Sequence, residues 1–264
     1  GTGSNYVWLG SIKVDGKELI DNGVSVTNVP SIASTVRANP TAGFSIISYT
    51  GTGTGATLAH NLNKTPELYI VKNRDGAHQW PVYTKALGAG KKLQLQDTAG
   101  SANTNHFNST EPTSSVISVG GTSSANNNGE AHIVYCFAPV EGYSAFTSRT
   151  VVSGTNFVYL GFRPRFVMLK RAGSGTTTNI SYASWAMFDT ERDTFNEVDF
   201  DTILYANRSH AQGKRGDSNG STGGTYLNID ILSNGIRFQS GAAEFSQPSD
   251  TIIILAWAEQ PFKT

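Results

Sequence analysis

Short apolar runs bounded by polar turn residues dominate the chain, and two of these runs share one pattern. Residues 66–72 are Pro-Glu-Leu-Tyr-Ile-Val-Lys, and residues 164–170 are Pro-Arg-Phe-Val-Met-Leu-Lys. In each run a proline and a charged residue precede four apolar residues, and a lysine closes the run. Because proline cannot donate a ladder hydrogen bond and is tolerated at the start of a strand, each run predicts a buried β-strand with solvated ends.

Other landmarks repeat in the same order along the chain. Strand-like runs begin at Gly43 and at Gly142, which are 99 residues apart. A tryptophan-centred run follows each core strand, around Trp80 in the first half and Trp185 in the second. The order of these landmarks predicts two tandem copies of one unit of roughly 100 to 120 residues.

The predicted fold is therefore all-β, with residues 42–143 and 144–264 as two tandem pseudo-repeated antiparallel β-sandwich units. Turn-rich segments recur about every 8 to 15 residues, which favours jelly-roll or immunoglobulin-like sandwiches over barrels. We expect residues 1–41 to form an N-terminal hairpin and a connector. An Asp-Gly turn at residues 15–16 predicts the hairpin, and a polar stretch interrupted by Pro30 and Pro40 predicts the extended connector.

Composition and charge exclude several classes of protein. The chain has 20 basic and 20 acidic residues, so no net charge attracts it to nucleic acid or to anionic lipid. No window approaches the roughly 20 apolar residues that a membrane-spanning helix needs, so membrane insertion is not expected. The single cysteine, Cys136, lies in an apolar run and predicts a buried thiol.

The residue types that carry chemistry do not form a recognisable catalytic or metal-binding motif. The glycines at 51, 53 and 55 do not complete a dinucleotide-binding fingerprint, and the five histidines lack the spacing of zinc ligands. The chain is rich in serine, and nothing in the sequence marks one serine as an activated nucleophile. We therefore expect no catalytic residues, no metal, no cofactor and no enzyme activity.

One acidic cluster leaves alternatives open. Its carboxylates could bind calcium, could pair for glycoside hydrolysis, or could form a solvated loop, and the loop is the favoured interpretation. The members of the cluster are Asp189, Glu191, Asp193, Asp199 and Asp201.

Five residues are candidates for ligand binding. Trp80, Tyr83 and Trp185 lie beside loops, and an aromatic ring face matches the apolar face of a sugar ring. The alternative for each is a place in the core between sheets. Polar loops at 98–113, 123–128 and 207–225 are rich in Asn, Ser, Thr and Gly, which suit adaptable hydrogen bonding. His106 and Asn108 of the first loop complete the candidates.

Five ordered motifs carry a resemblance to a known family. They are residues 43–51 (Gly-Phe-Ser-Ile-Ile-Ser-Tyr-Thr-Gly), 66–74 (Pro-Glu-Leu-Tyr-Ile-Val-Lys-Asn-Arg), 135–143 (Tyr-Cys-Phe-Ala-Pro-Val-Glu-Gly-Tyr), 161–170 (Gly-Phe-Arg-Pro-Arg-Phe-Val-Met-Leu-Lys) and 230–235 (Asp-Ile-Leu-Ser-Asn-Gly). From about residue 42 to 263 the chain resembles the repeated C-terminal domain of tail-fibre and other virion proteins of tailed bacteriophages, many of them marine. Residues 10–20 are similar to segments that follow a laminin-G-like sandwich in such proteins.

This resemblance implies an extracellular place on the virion, in a tail fibre or another surface appendage. It implies a non-catalytic receptor-binding module that attaches the virion to a bacterial surface polysaccharide or protein and contacts other virion proteins. A homotrimer is expected by analogy with fibres, although no coiled-coil heptad supports it. The alternatives are a structural virion protein for decoration or assembly and a glycan-cleaving enzyme. The resemblance assigns no individual site residues.

Overall fold

The computed structural model of the chain describes residues 12–14, 17–19, 28–152, 154, 156–173, 184–192, 196, 203–209, 212, 229–238 and 249–259. Nearly all regular structure in these residues is antiparallel β-sheet, so the predicted all-β class is confirmed. The described residues contain no helix with the length and apolar character needed to cross a membrane.

The N-terminal hairpin is present as predicted. It consists of β1 (Ile12–Val14) and β2 (Lys17–Leu19), which pair antiparallel with Val14 opposite Lys17. In the sequence the Asp-Gly dipeptide separates the two strands, and this dipeptide favours a tight hairpin connection.

Nine strands and one helical turn form the first repeat, which we call repeat 1. They are β3 (Ser34–Asn39), β4 (Phe44–Thr50), β5 (Ala56–Ala59), β6 (Leu68–Asn73), β7 (Pro81–Thr84), β8 (Lys91–Gln94), β9 (Ala102–Asn103), β10 (Val116–Val119), α1 (Ser123–Asn126) and β11 (Ala131–Phe137). A seven-stranded sheet has the order β3-β4-β11-β6-β7-β8-β9, and β5 and β10 form a separate pair. Leu58 and Ile117 of the pair belong to one apolar core with Ile47, Val71 and Val134 of the large sheet.

Repeat 2 contains the remaining strands. They are β12 (Ser144–Thr150), β13 (Asn156–Tyr159), β14 (Pro164–Arg171), β15 (Ala186–Asp189), β16 (Leu204–Tyr205), β17 (Ile229–Leu232), β18 (Gly235–Phe238) and β19 (Thr251–Ala258). The large sheet has the order β12-β19-β14-β15-β16, and the small sheet has the order β13-β18-β17. Their shared core includes Val167, Ile254, Ile231 and Phe238.

The two repeats have the same strand order. The order β4-β11-β6-β7-β8 in repeat 1 corresponds to β12-β19-β14-β15-β16 in repeat 2, and the pair β5-β10 corresponds to β13-β18. In the large sheets the first of the shared strands along the chain pairs with the last, as β4 pairs with β11 and β12 with β19. In the small sheets the next strand along the chain pairs with a strand near the end of its repeat, as β5 pairs with β10 and β13 with β18. Such nested pairing is closer to a jelly roll than to an immunoglobulin-like sandwich. The predicted pseudo-repeat is confirmed.

Part of the predicted connector is a strand. Residues 34–39 form β3, which pairs with β4 at the edge of the large sheet. The sequence prediction missed this strand because Val36 is its one large apolar residue. An edge strand needs little apolar surface, since one of its sides faces solvent. Val36 and the preceding Ile32 pack against the core of repeat 1 and fix the connector there.

The two large sheets pack against each other through the faces that the small sheets leave uncovered. Leu68, Val82 and Leu93 of repeat 1 form one buried cluster with Ile253 and Leu255 of repeat 2. The central strands therefore carry apolar residues on both faces, which explains why β6 and β19 are runs of consecutive apolar residues and do not alternate with polar ones. Burial of each large apolar side chain contributes about 1.5 to 3 kcal/mol.

Trp185 lies in this interface and is 1% exposed. Its indole Nε1 donates a hydrogen bond of 2.8 Å to the carbonyl oxygen of Gln94 in repeat 1. Close by, the Lys170 ammonium donates to the carbonyl oxygen of Thr98 at 3.1 Å. The backbone N–H of Ser101 donates to the carbonyl oxygen of Ala172 at 3.0 Å. The prediction that Trp185 binds a ligand is therefore corrected, because its ring is used to join the repeats.

The buried position of Trp185 predicts a large loss of stability on truncation. We expect Trp185→Ala to lower the free energy of unfolding by about 3 to 5 kcal/mol, because it leaves a cavity and an unpaired Gln94 carbonyl. Urea unfolding followed by circular dichroism measures this. Trp80→Ala is the matched control, since Trp80 is only half-buried, and we expect it to cost clearly less. Equal costs for the two variants would contradict the interface described here.

Candidate functional site

The five predicted ligand-binding residues do not converge on one site. Trp185 is buried between the repeats, and Tyr83 is 1% exposed in the core of repeat 1. The Tyr83 ring stacks on Tyr69 with centroids 4.6 Å apart, and its hydroxyl donates to Glu111 at 2.5 Å. The assignment of Tyr83 to a ligand surface is therefore also corrected. All four residues of β7 are buried, and Tyr83 points into the core of repeat 1, as the alternative of a core position had predicted.

Trp80 is half-buried just before β7. The Lys72 ammonium lies 5.5 Å from the centroid of its ring, within cation–π range. Its backbone N–H donates to the side-chain oxygen of Gln96 at 2.9 Å. Because Lys72 approaches the ring, Trp80 offers less open aromatic surface than the sequence suggested.

His106 and Asn108 lie in a segment that crosses from β9 towards β10. The carbonyl oxygen of His106 accepts the N–H of Gly120 at 2.8 Å, and its ring Nδ1 hydrogen-bonds Thr104 Oγ1. Burial, with a smaller contribution from the nearby Lys92 ammonium, lowers the pKa of His106 to about 4, so the ring is neutral near pH 7. Asn108 is exposed and has a φ of 51°, a conformation that Asn tolerates better than most residues.

A network around Asn126 joins two loops at one end of repeat 1. The buried side chain of Asn126 accepts from the N–H of Thr52 at 3.0 Å and donates to the Thr52 hydroxyl at 3.0 Å. Its amide also donates to the carbonyl oxygen of Thr54 at 2.5 Å, and its own carbonyl accepts from Gly53 at 2.8 Å. These hydrogen bonds join residues 51–55 to residues 120–130 beneath the polar surface that the two loops present.

Two carboxylates of the predicted acidic cluster are occupied by arginine. Arg192 Nε donates to Asp189 at 2.6 Å, and Arg165 pairs with Glu191. Burial acts against ionisation of Asp189, but the hydrogen bonds from Arg192 outweigh it and lower the pKa of this carboxyl. The other members, Asp193, Asp199 and Asp201, lie outside the described residues, as does most of the predicted loop at 207–225. No group of three potential metal ligands occurs within the described part of the chain.

An exposed aromatic patch lies on the outer face of repeat 2. Tyr159 is 69% exposed and Phe157 is 42% exposed, and both project outward from β13. Val152, 50% exposed, precedes this strand. We call these three residues the aromatic patch. They are three of the four exposed large hydrophobic residues among the described positions, so this surface differs from the rest of the described surface.

Polar residues lie beside the aromatic patch on the side of the neighbouring strand β18. Arg237 lies opposite Phe157 in the neighbouring strand β18, and its Nε donates to Asp230 at 2.6 Å. Gly235 lies opposite Tyr159 and leaves the side of that ring uncovered. A Cβ on Gly235 would lie 2.0 Å from the carbonyl oxygen of Val158, so no larger residue fits there. The exposed turn at residues 233–234 completes the rim.

Sequence analysis did not identify the aromatic patch, although a signal existed. Residues 156–159 are Asn-Phe-Val-Tyr, with an aromatic residue at each alternate position. In a half-buried strand one of the two alternating sets faces solvent. The sequence did not show which set this was, because Val158 is also apolar and is the residue that enters the core.

The geometry defines a double β-sandwich protein with an exposed aromatic surface on its second repeat. A family model described as a domain of unknown function, DUF7483, matches residues 19–261. The chain belongs to this family. Comparison with curated proteins gave no match, and comparison with solved structures gave none.

The close packing of the loops of repeat 1 around Gly120 predicts that a larger residue at this position destabilises the fold. A Cβ at this position would lie 1.7 Å from the carbonyl oxygen of Asn105. We expect Gly120→Ala to lower the free energy of unfolding by about 1 to 3 kcal/mol, because the backbone must move apart. Gly90→Ala is the matched control, since nothing lies within 4 Å of its Cβ position. Similar thermal denaturation midpoints for the two variants would rule out this close contact.

The lowered pKa of His106 predicts loss of stability in acid. The ordinary pKa of 6.5 falls to about 4 in the folded chain, so between these values the unfolded chain binds the extra proton. The stabilisation is complete above pH 6.5 and is lost as the pH falls towards 4. We expect His106→Gln to reduce the drop in unfolding free energy between about pH 7 and pH 4.5 by about 1 to 3 kcal/mol.

Urea unfolding at a series of pH values checks this. Asn108→Gly is the control in the same segment, because it adds and removes no titrating group and should keep the wild-type pH profile. A constant difference between wild type and His106→Gln across the whole pH series would contradict the assignment.

Proposed function

We propose that the chain is a non-catalytic receptor-binding module of a phage tail fibre or a related virion appendage. In this proposal it lies outside the virion and attaches it to a polysaccharide or protein of the bacterial surface. The module acts without a cofactor and contacts other virion proteins, and it is trimeric by analogy with fibres. The resemblance of the repeated motifs to tail-fibre domains supports the class.

The aromatic patch is the single observation that carries the binding role. The face of an aromatic ring matches the C–H face of a pyranose and excludes water from it. Tyr159 and Phe157 are two residues apart on one strand and so lie on the same side of the sheet. The adjacent Arg237 is exposed and can donate hydrogen bonds to hydroxyl or carboxylate groups of a glycan.

The small sheet behind the patch gives it a fixed position. Val158, between the two aromatic residues, belongs to the core of repeat 2 together with Ile236 and Phe238. The carbonyl oxygen of Asn234 accepts the N–H groups of Leu160 at 2.9 Å and Gly161 at 3.2 Å, which closes the turn beside Tyr159. The rings are therefore presented by an ordered sheet, which lowers the entropy lost on binding.

Binding to intact cells and to extracted surface polysaccharide from a panel of aquatic bacteria tests this proposal. We expect selective binding by the full chain, and we expect Tyr159→Ala to weaken it about tenfold or more, in the range of an interface anchor. Its free energy of unfolding should change by less than about 0.5 kcal/mol, because the ring is exposed. Tyr159→Phe keeps the ring and should keep most of the binding.

Val29→Ala is the matched control, because Val29 is also an exposed large hydrophobic residue but lies in the connector before repeat 1. Equal weakening by Val29→Ala and Tyr159→Ala would show that binding is non-specific. Release of sugar in the same samples would replace the proposal with a glycan-cleaving enzyme. Absence of binding throughout the panel would favour a structural role in the virion.

A further inference from the structure

Strand β12 forms one edge of the large sheet of repeat 2. Among the described strands, β19 alone pairs along its length. The N–H of Val151 donates to Asp250 at 2.9 Å at one end of this ladder, and Ala258 donates to Tyr143 at 2.7 Å at the other. Antiparallel partners alternate between bonded and non-bonded pairs, so the odd-numbered residues of β12 bond to β19.

The even-numbered residues of β12 therefore direct their backbone groups away from the sheet. Ser144 is satisfied by a bridge to Val140, with its N–H 2.8 Å from the Val140 carbonyl oxygen. The structure gives Phe146, Ser148 and Thr150 no such bridge among the described residues. Their three N–H and three C=O groups form an open hydrogen-bonding edge.

In repeat 1 the corresponding edge is occupied. Strand β4 lies 100 residues before β12, and β3 pairs with it in antiparallel register, with Arg37 opposite Ile46 and Thr35 opposite Ser48. The N–H of Gly51 donates to Glu130 in repeat 1, so the odd-numbered residues of β4 bond to β11 and the even-numbered ones bond to β3. Ile46 and Ser48 thus use the backbone groups that Phe146 and Ser148 leave open.

Chain connectivity explains why no described strand of repeat 2 takes the place of β3. Its equivalent of β3 would have to precede β12, but that part of the chain is β11, the central strand of repeat 1. Residues 138–143 join β11 to β12, and they form the turn in which Tyr143 donates to Val140 at 2.9 Å. The described residues directly before β12 therefore supply no strand that could cover this edge.

Side-chain burial reflects the missing strand. On the face of β4 that points into its sandwich, Ile47 is fully buried and Tyr49 is nearly so. The corresponding residues of β12, Thr147 and Arg149, are only partly buried. The Arg149 guanidinium Nε contacts Asn156 Oδ1 at 3.4 Å, and no ion pair with a carboxylate in the described part of the chain satisfies it.

A groove of about 740 Å³ runs beside β12. Residues 144–148 form one side of it, and repeat 1 contributes Lys64, Glu67 and Lys85 from across the gap. Since repeat 1 stands opposite the edge, the space suits one extended segment better than the edge of a second whole sheet.

We propose that the open edge of β12 binds an extended segment of a different protein, which adds to the sheet as an antiparallel strand. The segment has the chemistry of β3, with one adjustment. In the bound segment a β-branched residue lies opposite Thr147, in the position that Val36 takes opposite Ile47 in repeat 1. An acidic residue of the segment lies opposite Arg149, in the position that Ser34 takes opposite Tyr49. Main-chain hydrogen bonds supply the affinity, and these two side chains supply the specificity. This inference is independent of the proposed receptor binding by the aromatic patch.

A synthetic peptide tests the proposal on the full chain. The probe has the sequence of residues 29–39 with Ser34→Glu, and hydrogen exchange of individual amides is followed by NMR. In the free chain we expect fast exchange at Phe146, Ser148 and Thr150. At saturating peptide their exchange should slow at least tenfold, while the amides of Thr147 and Arg149, already bonded to β19, should change little.

Matched peptides separate strand addition from non-specific binding. N-methylation at the positions of Thr35 and Arg37 blocks the N–H groups that face the edge and should weaken binding at least tenfold. N-methylation at positions 34 and 36 of the probe modifies N–H groups that face away from the edge and should be tolerated. Restoring serine at position 34 should weaken binding at least threefold, through loss of the pair with Arg149.

Two protein variants give an independent check. Ser148→Pro removes the central N–H of the edge and should weaken binding at least tenfold. The variant should still fold, since proline is tolerated in an edge strand. Ser148→Val keeps this N–H and should bind as wild type. Should Ser148→Pro fail to fold, the N-methylated peptides on the wild-type chain decide the question alone.

Three results would overturn the proposal. The first is protection of Phe146, Ser148 and Thr150 in the free chain at all concentrations, because a segment of the chain itself would then cover the edge. The second is protection that rises with chain concentration without peptide, because the occupant would then be a second copy. The third is equal binding of both N-methylated peptides.

Discussion

The two large sheets pack against each other, and this contact limits what every other part of the molecule can do. Each large sheet has an apolar core on one side, formed with its own small sheet, and a second apolar face on the other. This second face would be exposed if either repeat stood alone. Pairing the faces buries them, and the bond from the Trp185 indole to the Gln94 carbonyl adds a directional contact across the boundary.

This interface also determines which surfaces remain for function. The central strands are covered on both faces, so among the described residues the loops, the sheet edges and the outer faces of the small sheets are the places where binding surfaces can form. Two features of repeat 2 lie in such places. The aromatic patch is on the outer face of the small sheet, and β12 is at an edge of the large one.

The connector makes the two repeats unequal. In repeat 1 it covers the edge of β4 through β3 and also reaches β5, where the N–H of Thr57 donates to Ser31 Oγ at 2.8 Å. The position 100 residues later is Phe157, which is exposed. One strand order therefore produces a covered surface in the first repeat and an open one in the second, because only the first has a connector before it.

The β-class, the N-terminal hairpin, the tandem repeat and the burial of Cys136 could all be predicted from the sequence, since they follow from local turn chemistry and from the spacing of apolar runs. The sequence offered aromatic residues suited to a binding surface, but it did not show whether their side chains point into the core or towards solvent. Tyr83 and Trp185 turn inward while Tyr159 turns outward, although all three lie in or beside apolar strands. These directions come from the packing of the sheets, because the side to which a strand residue points depends on which sheet covers each face of its strand. The same holds for β3, whose strand conformation comes from pairing with β4 and not from its own polar sequence.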